Sequence, residues 1–142
     1  MTSVQQLLDA KEQEIYAVGP DDTVLDALKM MEEKNVGSVL VKEGDRLVGL
    51  FTERHYARNV FLKGRSSPTT PIREVMATEV ICVGPEKTAE ACMALMTRER
   101  IRHLPILRDD HLVGIISIGD LLKSTIADHE FTIEQLEHFI RG

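Results

Sequence analysis

Aromatic side chains are scarce: the chain of 142 residues holds four Phe, two Tyr and no Trp. Surfaces that grip single-stranded nucleic acid stack bases on such rings, so that class is poorly served. Cysteine is scarcer. Cys82 and Cys92 stand ten apart, neither a CxxC pair nor a disulfide framework, and read as small buried thiols. The five histidines include no HExxH and no close pair at ligand spacing, so no metal site is expected. No apolar run nears the ~18 residues of a membrane span. The start, MTSVQQLLDAKEQE, carries acids where a secretory signal is basic and then apolar. Cytoplasm is the expected compartment. Positive charge is in deficit: 17 Lys and Arg against 23 Asp and Glu leave −6. That sign argues against nucleic acid or an anionic membrane as partner, unless basic residues cluster locally.

Catalytic motifs are missing as well. There is no GxxxxGK[ST], no GxGxxG after a strand, no GxSxG and no coherent Ser/His/Asp or Cys/His set. Lys63-Gly64-Arg65-Ser66-Ser67 has a phosphate-loop flavour but the wrong spacing, and reads as solvated linker. Glu134 and His138 share a helix face, which reads as a surface pair. The chain is not expected to be an enzyme.

What the chain does have is a duplication. The segment from Ile15 to Ala57 repeats from Val80 to Leu122 at an offset of 65 without a gap. Val18-Gly19-Pro20 returns as Val83-Gly84-Pro85, Thr23 as Thr88 and Met31 as Met96. Asp45 and Leu47-Val48-Gly49 return as Asp110 and Leu112-Val113-Gly114. Each copy reads as β-α-β-β-α. A short strand (Ile15 to Val18; Val80 to Val83) ends at Gly-Pro. A helix follows, capped by Thr23 or Asp22 in one copy and by Thr88 in the other. Val24, Ala27, Leu28 and Met31 share one helical face, as do Ala89, Cys92, Met93 and Met96. Two strands joined by a tight polar turn come next, through Glu43-Gly44-Asp45 and through Asp109-Asp110. A second helix starts near Arg54 and near Gly119. One unit alone exposes an apolar sheet face, and two related by a pseudo-twofold cover each other.

The expected layout is an α/β (α+β) pair: an N-terminal helix and lead-in over 1–14, repeat 1 over 7–62, a linker over 63–71, repeat 2 over 72–127, and a C-terminal helix over 128–142. Ser3 and Gln6 sit at capping-box spacing at the start, and Thr132 and Gln135 have the same spacing near the end. Ile133, Leu136, Phe139 and Ile140 form an apolar stripe, read as packing on the chain's own body or as a dimer contact.

With IRHLPIL and then LVGIISIGDLL in the second copy, the chain resembles a tandem pair of CBS domains, a Bateman module, of the kind found in stand-alone bacterial CBS proteins. The resemblance covers about residues 7 to 125. It implies a two-module disc that assembles into homodimers. It also implies regulation through an adenine-containing ligand such as AMP, ADP, ATP, NAD(H) or S-adenosylmethionine, read out by an unidentified protein partner.

The residues give that implication a chemical basis. A ribose diol needs an acceptor for two O–H bonds, and a carboxylate supplies charge-assisted ones. Asp120 stands three after Ser117, in the turn Ser117-Ile118-Gly119-Asp120. Gly119 allows close backbone approach, and free N–H groups at a helix start attract anions. Helix capping alone would also account for Asp120. The first copy departs: Thr52 matches Ser117, but His55 stands where the ribose acid belongs. Imidazole offers one acceptor and imidazolium none. Protonated His55 beside Arg54 would suit an anion and respond to pH near neutrality. The resemblance further implies pockets shared between copies. Ser117 to Asp120 would combine with Tyr16, Ala17, Val36, Gly37 and Ser38. Thr52, Arg54 and His55 would combine with Ile81, Cys82, Ile101, Arg102, His103, Leu104 and Pro105. Arg102 and His103 match phosphate-contacting positions in the gamma subunits of AMP-activated protein kinase. A surface pair of Arg102 with Glu99 is the plain alternative. At the level of function, the alternative is a ligand-free dimerisation adaptor.

Overall fold

The computed structural model describes residues 2–11 and 15–126. The expected C-terminal helix and its apolar stripe lie outside them, as do Glu134 and His138. Helix α1 is Val4–Ala10, closed by the expected capping box of Ser3 and Gln6. Repeat 1 runs β1 (Ala17–Val18), α2 (Val24–Lys34), β2 (Ser38–Glu43), β3 (Arg46–Thr52) and α3 (Glu53–His55), which continues as a π-helix over Tyr56–Phe61. A 3-10 turn at Ile72–Glu74 leads to repeat 2. There α4 (Ala89–Glu99), β4 (His103–Arg108) and β5 (His111–Ser117) follow, then a helix, α5, over 118–126.

The helices form where their caps and faces say. Thr23 caps α2 in a reciprocal box with Asp26, and Thr88 caps α4 by accepting from Ala91 N–H. Val24, Ala27 and Met31 bury one face of α2, and Ala89, Cys92 and Met96 the same face of α4. Both helices end in a left-handed residue, Asn35 (φ 53°) and Arg100 (φ 55°). Both hairpins turn in two residues, Gly44-Asp45 and Asp109-Asp110, and carry one register shift each.

One sheet has the order β1-β2-β3, with β1 parallel to β2, and the other pairs β4 with β5. The expected first strand of repeat 2 shrinks to a single parallel bridge, Val83 to Ile106. Two backbone bonds make it, Val83 N–H to Pro105 C=O and Leu107 N–H to Val83 C=O. The expected first strand of repeat 1 is likewise trimmed to two residues. Strand β3 packs against β5, which brings the repeats together.

The core is double, as two copies require. Val24, Met31, Val39, Phe51 and Ile72 anchor one cluster, and Val4, Leu8, Met96, Leu104 and Ile116 the other. Burying each such side chain contributes roughly 1.5–3 kcal/mol.

The lead-in segments are themselves duplicated, at an offset of 68 rather than 65. Val24 N–H donates to Thr70 C=O, and Ala89 N–H to Thr2 C=O. Ile72 N–H reaches Asp22 C=O as Val4 N–H reaches Lys87 C=O. The segment 70–76 therefore serves repeat 1 as 2–8 serves repeat 2. Part of the expected solvated linker is thus built in: Thr70 is buried and Pro71 bridges Thr23. The repeated Leu-Val-Gly is the landing place. A Cβ at Gly114 would lie 2.6 Å from Leu8 Cδ2, and one at Gly49 would lie 3.0 Å from Ala77 C=O and press on Met76.

Candidate functional site

Each strand-to-helix junction closes on itself. Ser117 N–H donates to Asp120 Oδ2 (2.8 Å) while Asp120 N–H donates to Ser117 Oγ (3.2 Å). Thr52 and His55 make the same reciprocal pair: Thr52 N–H to His55 Nδ1 (3.1 Å) and His55 N–H to Thr52 Oγ1 (3.2 Å). The first helical N–H after each junction ties it to its own repeat, Glu53 N–H to Gly37 C=O and Ile118 N–H to Arg102 C=O. Asp120 does cap its helix, as the plainer reading has it. Capping and ligand contact are compatible, because a carboxylate has acceptor capacity beyond its Oδ2 bonds.

Two of the cavities that the described residues form between the repeats hold the junction residues Ser117, Asp120, Thr52 and His55. Cleft 1, about 470 Å³, is lined by Asn35, Val36, Gly37, Ser38, Tyr16 and Leu40 of repeat 1. Facing them are His103, Ile115, Ser117 and Asp120 of repeat 2, with Lys11 from the lead-in. The Lys11 ammonium lies 2.9 Å from Asp120 Oδ2 and donates to Ile115 C=O at 2.9 Å. Partial burial raises the Asp120 pKa, but the Ser117 N–H and Lys11 outweigh it and hold the carboxyl below its usual range. Asp120 is therefore ionised at neutral pH.

Cleft 2, about 490 Å³, is the same place with the repeats exchanged. Thr52, Glu53, Arg54, His55, Arg58 and Asn59 of repeat 1 face Arg100, Ile101, Arg102 and His103 of repeat 2, with Gly37 and Leu50 completing the wall. Gly37 and His103 line both clefts. Arg54 Nη1 donates to Arg100 C=O at 3.1 Å. Glu99 lies against Arg98 at 3.3 Å, so the surface pair of Arg102 with Glu99 does not form.

His55 differs from expectation. Burial lowers its pKa, and the charges of Arg54 and Arg58 lower it further, so it is neutral at pH 7 rather than protonated. Its Nδ1 accepts the Thr52 N–H, which puts the ring proton on Nε2. Burial likewise lowers His103, against the pull of Asp120.

The structure brings Tyr16, Val36, Gly37, Ser38, Ser117 and Asp120 to cleft 1, and Thr52, Arg54, His55, Ile101, Arg102 and His103 to cleft 2. It leaves the other expected residues off both walls, each for a local reason. Alternation along β1 turns Ala17 away from the Tyr16 side. Leu104 and Pro105 are buried, Leu104 at 0% exposure. Ile81 and Ile118 pack on the core of repeat 2. The Cys82 thiol donates toward Val80 C=O at 3.7 Å, and burial raises its pKa. Gly119 lines neither cleft, and a Cβ there would lie 3.5 Å from Ser117 Oγ. Leu40, Leu50, Glu53 and Ile115 also line the clefts without having been expected there, and so do residues with no sequence signal of their own: Lys11, Asn35, Arg58, Asn59 and Arg100. The last is legible only as the counterpart of Asn35 at a helix end. Among the described residues no group of three or more His, Cys, Asp or Glu is placed to hold a metal. No described helix is long and apolar enough to cross a membrane.

The model for the CBS domain matches twice, over residues 9–61 and 72–126, more than half of the chain. The chain belongs to the CBS-domain family. It is 41% identical over 127 residues to CBSX3, a mitochondrial CBS domain-containing protein of Arabidopsis thaliana, which covers 86% of the chain. The chain spans only 62% of that relative's length. Against the CBS domain-containing protein YhcV of Bacillus subtilis it is 36% identical, with 90% of this chain and 89% of the relative covered. A solved structure of a protein with CBS domains from Burkholderia ambifaria MC40-6 superposes with a TM-score of 0.87 at 50% identity, covering 89% of this chain and 96% of that one. The two repeats are thus a CBS pair.

Proposed function

We propose that this CBS pair is a non-enzymatic regulatory module that takes an adenine nucleotide, AMP, ADP, ATP or NAD(H), between its repeats. The observation that carries the reading is the convergence of an ionised Asp120 and Ser117 from repeat 2 with Val36 to Ser38 of repeat 1 around one cavity. Its volume falls in the roughly 300–1,000 Å³ of small-molecule sites. The carboxylate receives the ribose diol, Gly37 lets the base approach backbone, and Tyr16, Val36 and Leu40 give it an apolar bed. Ligand bound across two repeats changes how they sit together, and a partner protein reads that change, provided the ligand favours one state over the other.

Thermal denaturation of the whole chain with adenosine, AMP, ATP and NAD(H) tests this. An adenine compound is expected to raise Tm in the native protein, and adenosine, which carries no phosphate, to leave Asp120→Ala unmoved. No shift by any of them removes the proposal.

A second reading, a ligand-free dimerisation adaptor, is favoured by one observation. Phe61 and Ile126, equivalent positions in the two repeats, are 71% and 56% exposed, beside exposed Leu62 and Leu122. This reading expects Asp120→Ala to keep its oligomeric state and its partner. A nucleotide that survives purification would remove it.

A further inference from the structure

Four arginines, Arg54, Arg58, Arg100 and Arg102, line cleft 2, with Glu53 as the sole acid of its wall. None of the four is in an ion pair among the described residues. Gathering like charges around one cavity works against folding, and it does so in a chain whose net charge is −6. The backbone bears a second cost there. Arg100 holds a left-handed conformation that suits Asn35 at the equivalent position and does not suit an arginine. Arg58 and Asn59 come from the π-helical turn, a departure from the ordinary helix that repeat 2 forms in the same place. Three unfavourable features meet at one cavity.

The polar side chains of the wall are mostly donors. His55 stands where the diol-binding acid would be, and its acceptor nitrogen is already used by Thr52 N–H, which leaves a ring N–H. Asn59 donates an amide N–H to Val75 C=O, which leaves Asn59 Oδ1 and the Glu53 carboxylate among the side-chain acceptors of the wall. A ribose hydroxyl therefore meets no carboxylate at position 55, where repeat 2 has Asp120. Phosphate oxygens are acceptors only, and a guanidinium matches them as a two-pronged fork. One phosphate engages one or two forks, so four point to several phosphates in a row.

We propose that cleft 2 binds a polyphosphate chain and recognises its charge without requiring a ribose. This rests on the reading that the clefts are ligand sites, but it does not depend on what cleft 1 holds. Free polyphosphate and the tail of a nucleoside triphosphate share this chemistry.

Isothermal titration of the full chain with sodium tripolyphosphate, ATP and adenosine tests it. Tripolyphosphate is expected to bind the native protein, more weakly as salt is added. Binding should fall roughly tenfold or more in Arg102→Ala and in Arg58→Ala, and stay unchanged in Arg46→Ala, an exposed arginine on neither cleft wall. Circular dichroism melts establish that these variants are folded. ATP tighter than tripolyphosphate at the same arginines supports the proposal with a nucleoside tail as the source; equal binding supports it with free polyphosphate. Tripolyphosphate that fails to bind the native chain, or whose affinity neither arginine variant moves, overturns it. Adenosine, AMP and NAD(H) all failing while tripolyphosphate binds defeats the cleft 1 reading alone.

Discussion

Ser117 with Asp120 and Thr52 with His55 close the same reciprocal cap at the same point of two copies of one fold. Around the first stand one acid, one lysine already paired to it, and an otherwise neutral wall. Around the second stand four arginines and one glutamate. The backbone therefore demands only an acceptor at the third residue of the helix, and carboxylate or imidazole nitrogen both satisfy it. Duplication holds the scaffold constant and leaves the cleft chemistry free to diverge. What each junction residue does for the fold is thereby separable from what it offers a ligand.

The largest effects expected concern the glycines on which the lead-in segments land. Gly49→Ala sets a methyl against Ala77 C=O and Met76, where backbone must yield, while Gly114→Ala meets only the flexible end of Leu8. Chemical denaturation should show Gly49→Ala costing about 2–3 kcal/mol and Gly114→Ala about 1 kcal/mol. Equal costs would mean that the two lead-ins are not distinguished by what they press on the sheet.

Those lead-ins also mark where the sequence stops being readable. The repeats and the paired caps at Thr23 and Thr88 followed from matching residues at one offset, whereas the meeting of Asp120 with Val36 to Ser38 came from the resemblance to CBS pairs. TSVQQLL and TPIREVM share little beyond a threonine and the rhythm of apolar positions, and they sit at a different offset. Lys11, carried into cleft 1 by the first of them, could not be foreseen for that reason. The shrinkage of the second copy's first strand was equally hidden. Ile81 and Cys82 have as much strand character as Tyr16 and Ala17, and what decides is how much of the neighbouring strand each segment can reach. Arg58 was hidden by a helix type that no local pattern announces.

His55→Asp sharpens the contrast between the clefts. It preserves the cap and puts a carboxylate where repeat 2 has one. Adenosine titrations should rise from one bound molecule toward two. Tripolyphosphate affinity should fall about tenfold, or about 1.4 kcal/mol, because an anion now stands among the arginines. Unchanged tripolyphosphate binding would show that residue 55 faces away from the bound chain.

Acidification affects both clefts, in sequence. His55 and His103 have folded pKa values below the ordinary 6.5, so the unfolded chain binds protons first and stability is lost as pH falls below about 6.5. Asp120 lies below its ordinary 3.8, so its contribution is present above that value and is lost as pH falls through the lower folded pKa. Melts across this range should be level above pH 7 and decline in two stages. His103→Gln should shrink the upper stage and leave the lower one in place.

The smallest expected change tests the pairing that sets cleft 1 apart. Lys11 holds Asp120 by an ion pair that is partly open to solvent, the two side chains being 33% and 22% exposed. Exposed pairs of this kind contribute about 0–1 kcal/mol. Lys11 therefore competes only weakly with a neutral ribose for the carboxylate, yet adds attraction for a phosphate. Lys11→Met should tighten adenosine by roughly threefold and loosen AMP by a similar factor. Both moving in one direction would mean that the ammonium acts on the shape of the cleft and not on its charge.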